Sequence, residues 1–160
     1  LLEKKGYIIL GIDPGSIKTG FGLINVSGNS YTHIENGLIA PPKGMEFKER
    51  VAYIFRGVCE TIEEFKPDYL SLEDIFISKN AQSALKLGHI RGAVMSASVV
   101  HGVPVFEYSP TRVKQSITGN GRAEKFQIQE MVKLLLKLKE IPQEDAADAL
   151  AVAITHAFSV

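Results

Sequence analysis

Up to residue 39 the apolar residues come in short runs broken by turn formers; from residue 47 they recur every three or four positions. That change of period predicts a strand-rich start followed by helices packed on the resulting sheet. Tyr7 to Ile12 is an apolar run closed by Asp13-Pro14-Gly15, the pattern of a buried strand and a turn. Thr19 to Val26 and Tyr31 to Ile39 predict two more strands, joined at Ser27-Gly28-Asn29 in a hairpin. The three together predict an antiparallel meander. Phe47, Val51, Ile54, Phe55, Val58, Ile62 and Phe65 then mark one face of an amphipathic helix, which Pro67 stops. Cys59 lies beside that stripe and reads as core filling.

Asp68 to Glu73 predicts a fourth strand, with Tyr69, Ser71 and Glu73 alternating against Leu70 and Leu72. A second helix is predicted over Asn80 to Val100, and a fifth strand over Val103 to Tyr108. Ser109 to Thr118 reads as a short helix with Pro110 in its first turn, and Gly119-Asn120-Gly121 as a flexible loop. A third long helix is predicted over Ala123 to Lys139, and a final one from Pro142 through Ala157. Gly88 and Gly92, with Ser96 a turn further on, serve packing on the protein's own sheet or a subunit seam equally well.

The chain has 160 residues, and no internal repeat or linker divides it, so residues 1–160 are expected to form one domain. With 45% hydrophobic and 22% charged residues it is not expected to be disordered, fibrous or a coiled-coil rod. No apolar stretch approaches the roughly 20 residues of a membrane helix, and the start lacks the marks of a signal peptide. A single cysteine fits a reducing, cytoplasmic setting. The formal net charge is zero, but it is unevenly spread. Between Ile75 and Ala123 six cations face one acid, Glu107, a local net of +5, and the flanks carry −5. A phosphate-binding surface beside an acidic site is one reading of that split, and ordinary fluctuation of charge is the other.

Four carboxylates interrupt the apolar pattern. Asp13 ends the first strand, Glu73 ends the fourth, and Asp145 and Asp148 project from one face of the alanine-rich last helix. Acids against apolar surface are costly unless paired, hydrogen-bonded or bound to metal. Each has a simple alternative: Asp13 as a turn former, Asp145 and Asp148 as partners of a helix dipole, Glu73 as a hydrogen-bond acceptor. If the first and fourth strands are neighbours, however, Asp13 and Glu73 end side by side, and the last helix can bring the other two across them. Convergent carboxylates suit a hard cation such as Mg2+, and two such ions can activate water at a phosphodiester. The four histidines are scattered, which disfavours zinc.

The segments "GIDPGSIKTGFGLI", "LEDIFISKNAQSALKLGHIRG", "VFEYSPTRVKQSITGNGRAEK" and "DAADALAVAITH" resemble, in order and over nearly the whole chain, the RuvC family of bacterial Holliday-junction resolvases. The resemblance implies an α/β architecture of the RNase H-like fold, a five-stranded mixed sheet flanked by α-helices. It implies a homodimer that binds four-way junction DNA and makes symmetric paired nicks with 5′-phosphate and 3′-hydroxyl ends. It places the metal-binding carboxylates at Asp13, Glu73, Asp145 and Asp148, holding two Mg2+ ions for which Mn2+ substitutes. It places DNA-binding residues at Phe76, Lys114 and Lys125. RuvA and RuvB are the implied partners. It also turns Gly88 and Gly92 towards a dimer seam. Family members often carry a further basic tail where this sequence stops at Val160, so weaker DNA binding with catalysis spared is expected. The first segment alone also resembles a phosphate loop of actin-like and sugar-kinase ATPases, but no second such loop is visible. A nuclease acting on RNA or RNA–DNA hybrids and a junction-binding module with a dead site are the other two readings.

Overall fold

Strands β1 (Tyr7–Asp13), β2 (Thr19–Ser27) and β3 (Ser30–Ile39) form the expected antiparallel meander. They belong to a computed structural model that describes residues 6–74 and 80–160. β4 (Tyr69–Glu73) pairs in parallel with β1, and β5 (Val105–Tyr108) in parallel with β4, giving a five-stranded mixed sheet in the order β3-β2-β1-β4-β5. The first and fourth strands are therefore neighbours, as the placement of their terminal acids requires. Helices α1 (Phe47–Phe65) and α2 (Ala81–Val100) share a core with one face of this sheet. α3 (Pro110–Thr118), α4 (Lys125–Leu135) and α5 (Glu144–Ser159) share a core with the other.

The period-2 alternation of a strand decides which face each side chain joins. In β1, Leu10 and Ile12 join the α1/α2 core, and Ile9 joins the α5 core. Gly11 and Asp13 share the parity of Ile9, so Asp13 lies on the α5 side. In β4, Leu70 and Leu72 belong to the α1/α2 core, and Tyr69 to the α5 core. Ser71 donates to the Val152 carbonyl of α5 at 2.7 Å, and Glu73 follows on the same side.

α5 lies almost directly on the backbone of β1 and β2. A Cβ on Gly11 would come 1.9 Å from the Ala149 carbonyl oxygen, and one on Gly20 would come 2.2 Å from that of Asp145. Glycine is required at both positions by close approach, not by conformation. The facing helix is correspondingly small-residued, with Ala146, Ala149 and Ala153 fully buried.

Several sequence-based boundaries shift, three of them for a reason the structure makes plain. The helix expected to reach Lys139 ends at Leu135, because Lys137 adopts φ 54°. Its N–H bonds the Leu134 carbonyl and that of Leu138 bonds Lys133, the pattern of a Schellman stop. Glycine usually occupies that left-handed position, so lysine hides the signal. Val103 is not in β5: its N–H caps α2 at the Ser98 carbonyl. α5 starts two residues after Pro142, with Gln143 as its N-cap. Among the described residues, Gly88 and Gly92 meet nothing within 4 Å of an added Cβ. They do not pack on the protein's own sheet. Cys59 packs half-buried against the α1/α2 core, as expected.

Candidate active site

Asp13 stands at the carboxyl end of β1, where Ile12 pairs with Leu72 of β4, so the next residue on each strand, Asp13 and Glu73, emerges at the same edge. Asp145 and Asp148 lie in the first turns of α5, three residues apart and over that edge. One carboxylate oxygen each from Asp13, Asp145 and Asp148 lies within 4.8 Å of the other two. Glu73 is outside that tightest group but lines the same cleft, of about 540 Å³, with Asp13, Asp148, Lys114 and Lys125. All four acids singled out in the sequence thus converge, together with both lysines. Phe76 lies outside the described residues.

The electrostatics express this crowding. Burial, followed by repulsion from Asp148, Glu73 and Asp145, pushes Asp13 up to about 8. Burial and the neighbouring Asp145 and Glu144 raise Asp148 to about 6, against the pull of Lys125. Glu73 is also raised, by burial and by Asp148, while Lys114, Lys125 and Arg91 oppose the shift. Asp145 moves the other way. Burial would raise it, but a hydrogen bond from Gln143 and the ammonium of Lys18 hold its carboxyl below the usual range.

Several contributors were not visible in the sequence. Lys18 pairs with Asp145 at 3.2 Å although the two are far apart in the chain. Gln143 accepts from the Asp145 N–H at 2.8 Å and returns a side-chain N–H to its carboxylate at 2.9 Å. Glutamine is an unusual N-cap, so nothing at sequence level marked it. Lys125, expected to meet DNA, pairs here with Glu144 and lies 3.7 Å from Asp148. Arg91 approaches the end of β4 from the opposite face, donating to the Glu73 carbonyl.

The donor set fits a hard divalent cation: every convergent ligand is a carboxylate oxygen, and the buried negative charge raises its own proton affinity for want of compensation. The sheet order, with acids at the ends of adjacent parallel strands and on the helix crossing them, defines an RNase H-like domain with an acidic site of cation-binding geometry. Comparison with known proteins narrows this class. The family model for crossover junction endodeoxyribonuclease RuvC matches residues 9–156. The RuvC endonuclease of Citrifermentans bemidjiense is 55% identical over 152 residues, covering 95% of this chain and 93% of that protein. That of Cronobacter sakazakii is 52% identical over 149 residues, 93% of this chain and 86% of the relative. The structure of Thermus thermophilus RuvC in complex with a Holliday junction substrate superimposes with a TM-score of 0.90 at 36% identity, covering 96% of this chain and 94% of that one. The chain belongs to the RuvC family.

Proposed function

We propose that this protein is a structure-selective endonuclease that resolves four-way DNA junctions by paired symmetric nicks, in recombination and DNA repair. The observation that carries the reading is the convergence of Asp13, Asp145 and Asp148 in a cleft shared with Glu73, Lys114 and Lys125, in a chain of this family. Asp13, Glu73, Asp145 and Asp148 are the ligands we assign to two Mg2+ ions, with Mn2+ as a substitute. Bound there, the metal would supply an activated water and charge stabilisation at the leaving 3′-oxygen.

The chain's own groups complete the chemistry. Gln143 holds the Asp145 carboxylate in place from the N-cap of α5. Lys125 faces Asp148, so its ammonium can hold a phosphate oxygen beside the acids once that pairing loosens. Lys114 lines the same cleft wall and neutralises backbone phosphates, releasing counterions. Phe76 is assigned to the junction core, where an aromatic stacks on an unpaired base. We read residues 1–160 as one nuclease domain acting as a homodimer, because two nicks related by the junction's two-fold axis need two sites. The outward-facing Gly88 and Gly92 support a seam along α2. Among the described residues no helix is long and apolar enough to cross a membrane. The cytoplasm is the proposed setting, and RuvA and RuvB the proposed partners.

The test is Mg2+-dependent cleavage of a mobile synthetic four-way junction beside linear duplex and an RNA–DNA hybrid, with Asp13→Asn as control. Paired, ligatable nicks in the junction alone, absent in the variant, are expected. Cleavage of the hybrid instead would move the protein to another nuclease class, and binding without cleavage would make it a junction-binding module.

A further inference from the structure

Arg91 is a charged side chain in the wrong place for a charge. It projects from the middle of α2, on the sheet face opposite the acids, and is only 4% exposed. Its guanidinium donates to the Glu73 backbone carbonyl and to the Glu107 carboxylate, and lies 3.6 Å from the Asp74 carboxylate. It also lines a second, smaller cleft of about 240 Å³ with Asp13, Glu73 and Asp74.

Stability alone does not call for such a residue. A buried ion pair is commonly no more stabilising than apolar side chains of the same volume, because desolvation offsets the Coulomb attraction. What the guanidinium contributes is geometry. The peptide between Glu73 and Asp74 lies where β4 leaves the sheet, and strand ends fray unless they are tied. Both polar groups of that peptide are tied here. Its carbonyl accepts from Arg91, and its N–H donates to the Tyr108 carbonyl of β5 at 2.7 Å. Glu107, paired with Leu72 across the β4/β5 ladder, fixes the guanidinium in turn. The planar fork is suited to hold both groups at once. One arm reaches a carbonyl and the other a carboxylate, which a lysine ammonium cannot match in orientation. Glu73 is also the acid lying outside the tightest carboxylate group, and the clamp acts on the backbone from which its side chain leaves.

We propose that Arg91 is a positioning residue: by clamping the Glu73–Asp74 peptide against Glu107 from behind the sheet, it fixes where the Glu73 carboxylate enters the cleft that it shares with Asp13 and Asp148. This rests on the assignment of Asp13 and Glu73 as metal ligands. Ligand positions must hold within about 0.2 Å, and loss of a group that orients a ligand typically costs roughly 10- to 100-fold in metal affinity.

The test uses the full chain with Arg91→Met, Arg91→Lys, Glu107→Gln and Asp13→Asn. Binding of Mn2+ is measured calorimetrically without DNA, junction affinity in EDTA, and cleavage as a function of Mg2+ concentration. Both Arg91 variants are expected to bind Mn2+ about 10- to 100-fold more weakly. Their Mg2+ requirement for cleavage should rise in parallel, with junction affinity within twofold of the wild type. Glu107→Gln is expected to show a smaller loss in the same direction. A merely structural arginine would lower the melting temperature and leave the metal affinity of the folded protein unchanged. Should Arg91→Met fail to fold, Arg91→Lys decides: Mn2+ affinity within twofold of the wild type overturns the proposal. Wild-type Mn2+ affinity in Asp13→Asn would instead overturn the metal-site assignment on which it rests.

Discussion

Replacing Gly11 by alanine adds a single methyl group at a point where β1 meets the backbone of α5. The new Cβ would lie 1.9 Å from the Ala149 carbonyl oxygen and 2.9 Å from the Ala153 Cβ. Close-packed interiors tolerate no such overlap, and reaching even the tightest normal contact requires a retreat of at least ~1 Å. The obstacle on the helix side is backbone, so no rotamer change relieves it. α5 must move as a body, or β1 must buckle. Asp148 immediately precedes Ala149, and Asp13 lies two residues beyond Gly11, so the two halves of the acidic site separate by a comparable distance. Overpacking of this kind costs about 1–3 kcal/mol. For a chain of this length that lowers the melting temperature by roughly 2–12 °C. A misplacement of about 1 Å at a reacting centre costs around 100-fold in rate. The expected result is a folded protein, seen by circular dichroism and melting, that still binds the junction but cleaves it about 100-fold more slowly at saturating Mg2+. Cleavage within threefold of the wild type, at any melting temperature, would refute the claim that the α5–β1 approach sets the site.

Asp13 and Asp148 are raised to about 8 and about 6, so the metal-free fold favours their protonated forms. The stability they contribute is complete below the ordinary carboxylate range and is lost as pH rises through 6 and then 8. Melting in EDTA should therefore show Asp13→Asn gaining on the wild type from pH 5.5 to 8.5, and a constant difference would contradict it. Protons compete with the metal over the same window, so the Mn2+ affinity of the wild type should strengthen towards pH 8, as calorimetry would show. Lys114→Ala should weaken junction binding and reduce the slope of log K against log salt by about 1, whereas an unchanged slope removes Lys114 from the phosphate contacts. Gly92→Leu should dissociate a dimer built on α2 by at least about tenfold in sedimentation equilibrium, through lost close approach, while monomer stability is expected to hold, since among the described residues nothing lies within 4 Å of a Cβ added there.

The meander and the four acids that break the apolar pattern could be anticipated because each leaves a local mark, whereas the adjacency of β1 and β4, on which their convergence depends, entered only as a condition. Alternation assigns a strand's faces, proline and glycine mark its ends, and a carboxylate in an apolar run is conspicuous wherever it sits. The family resemblance added to these marks, and from it came the expectation that Phe76, Lys114 and Lys125 meet DNA. The end of α4 escaped for a local reason as well: a lysine in a left-handed turn, Lys137, looks like a continuing helix.

What only the folded chain decides is the partnering of groups whose sequence positions carry no trace of each other. Arg91, Glu107 and Lys18 are ordinary charged residues in the sequence, and nothing there pairs Lys18 with Asp145. Their pairing depends on a helix packing on the far face of the sheet and a loop closing over the last helix. Gly11 and Gly20 lie inside predicted strands, and nothing in the sequence shows that α5 is laid across them at a distance no Cβ allows. The physical division follows from range. Periodicity and backbone preference act over a few residues and are written locally, whereas desolvation and ion pairing depend on three-dimensional distance. Identical acids therefore acquire opposite proton affinities, Asp13 well above the usual carboxylate range and Asp145 below it, according to what the tertiary structure sets beside them.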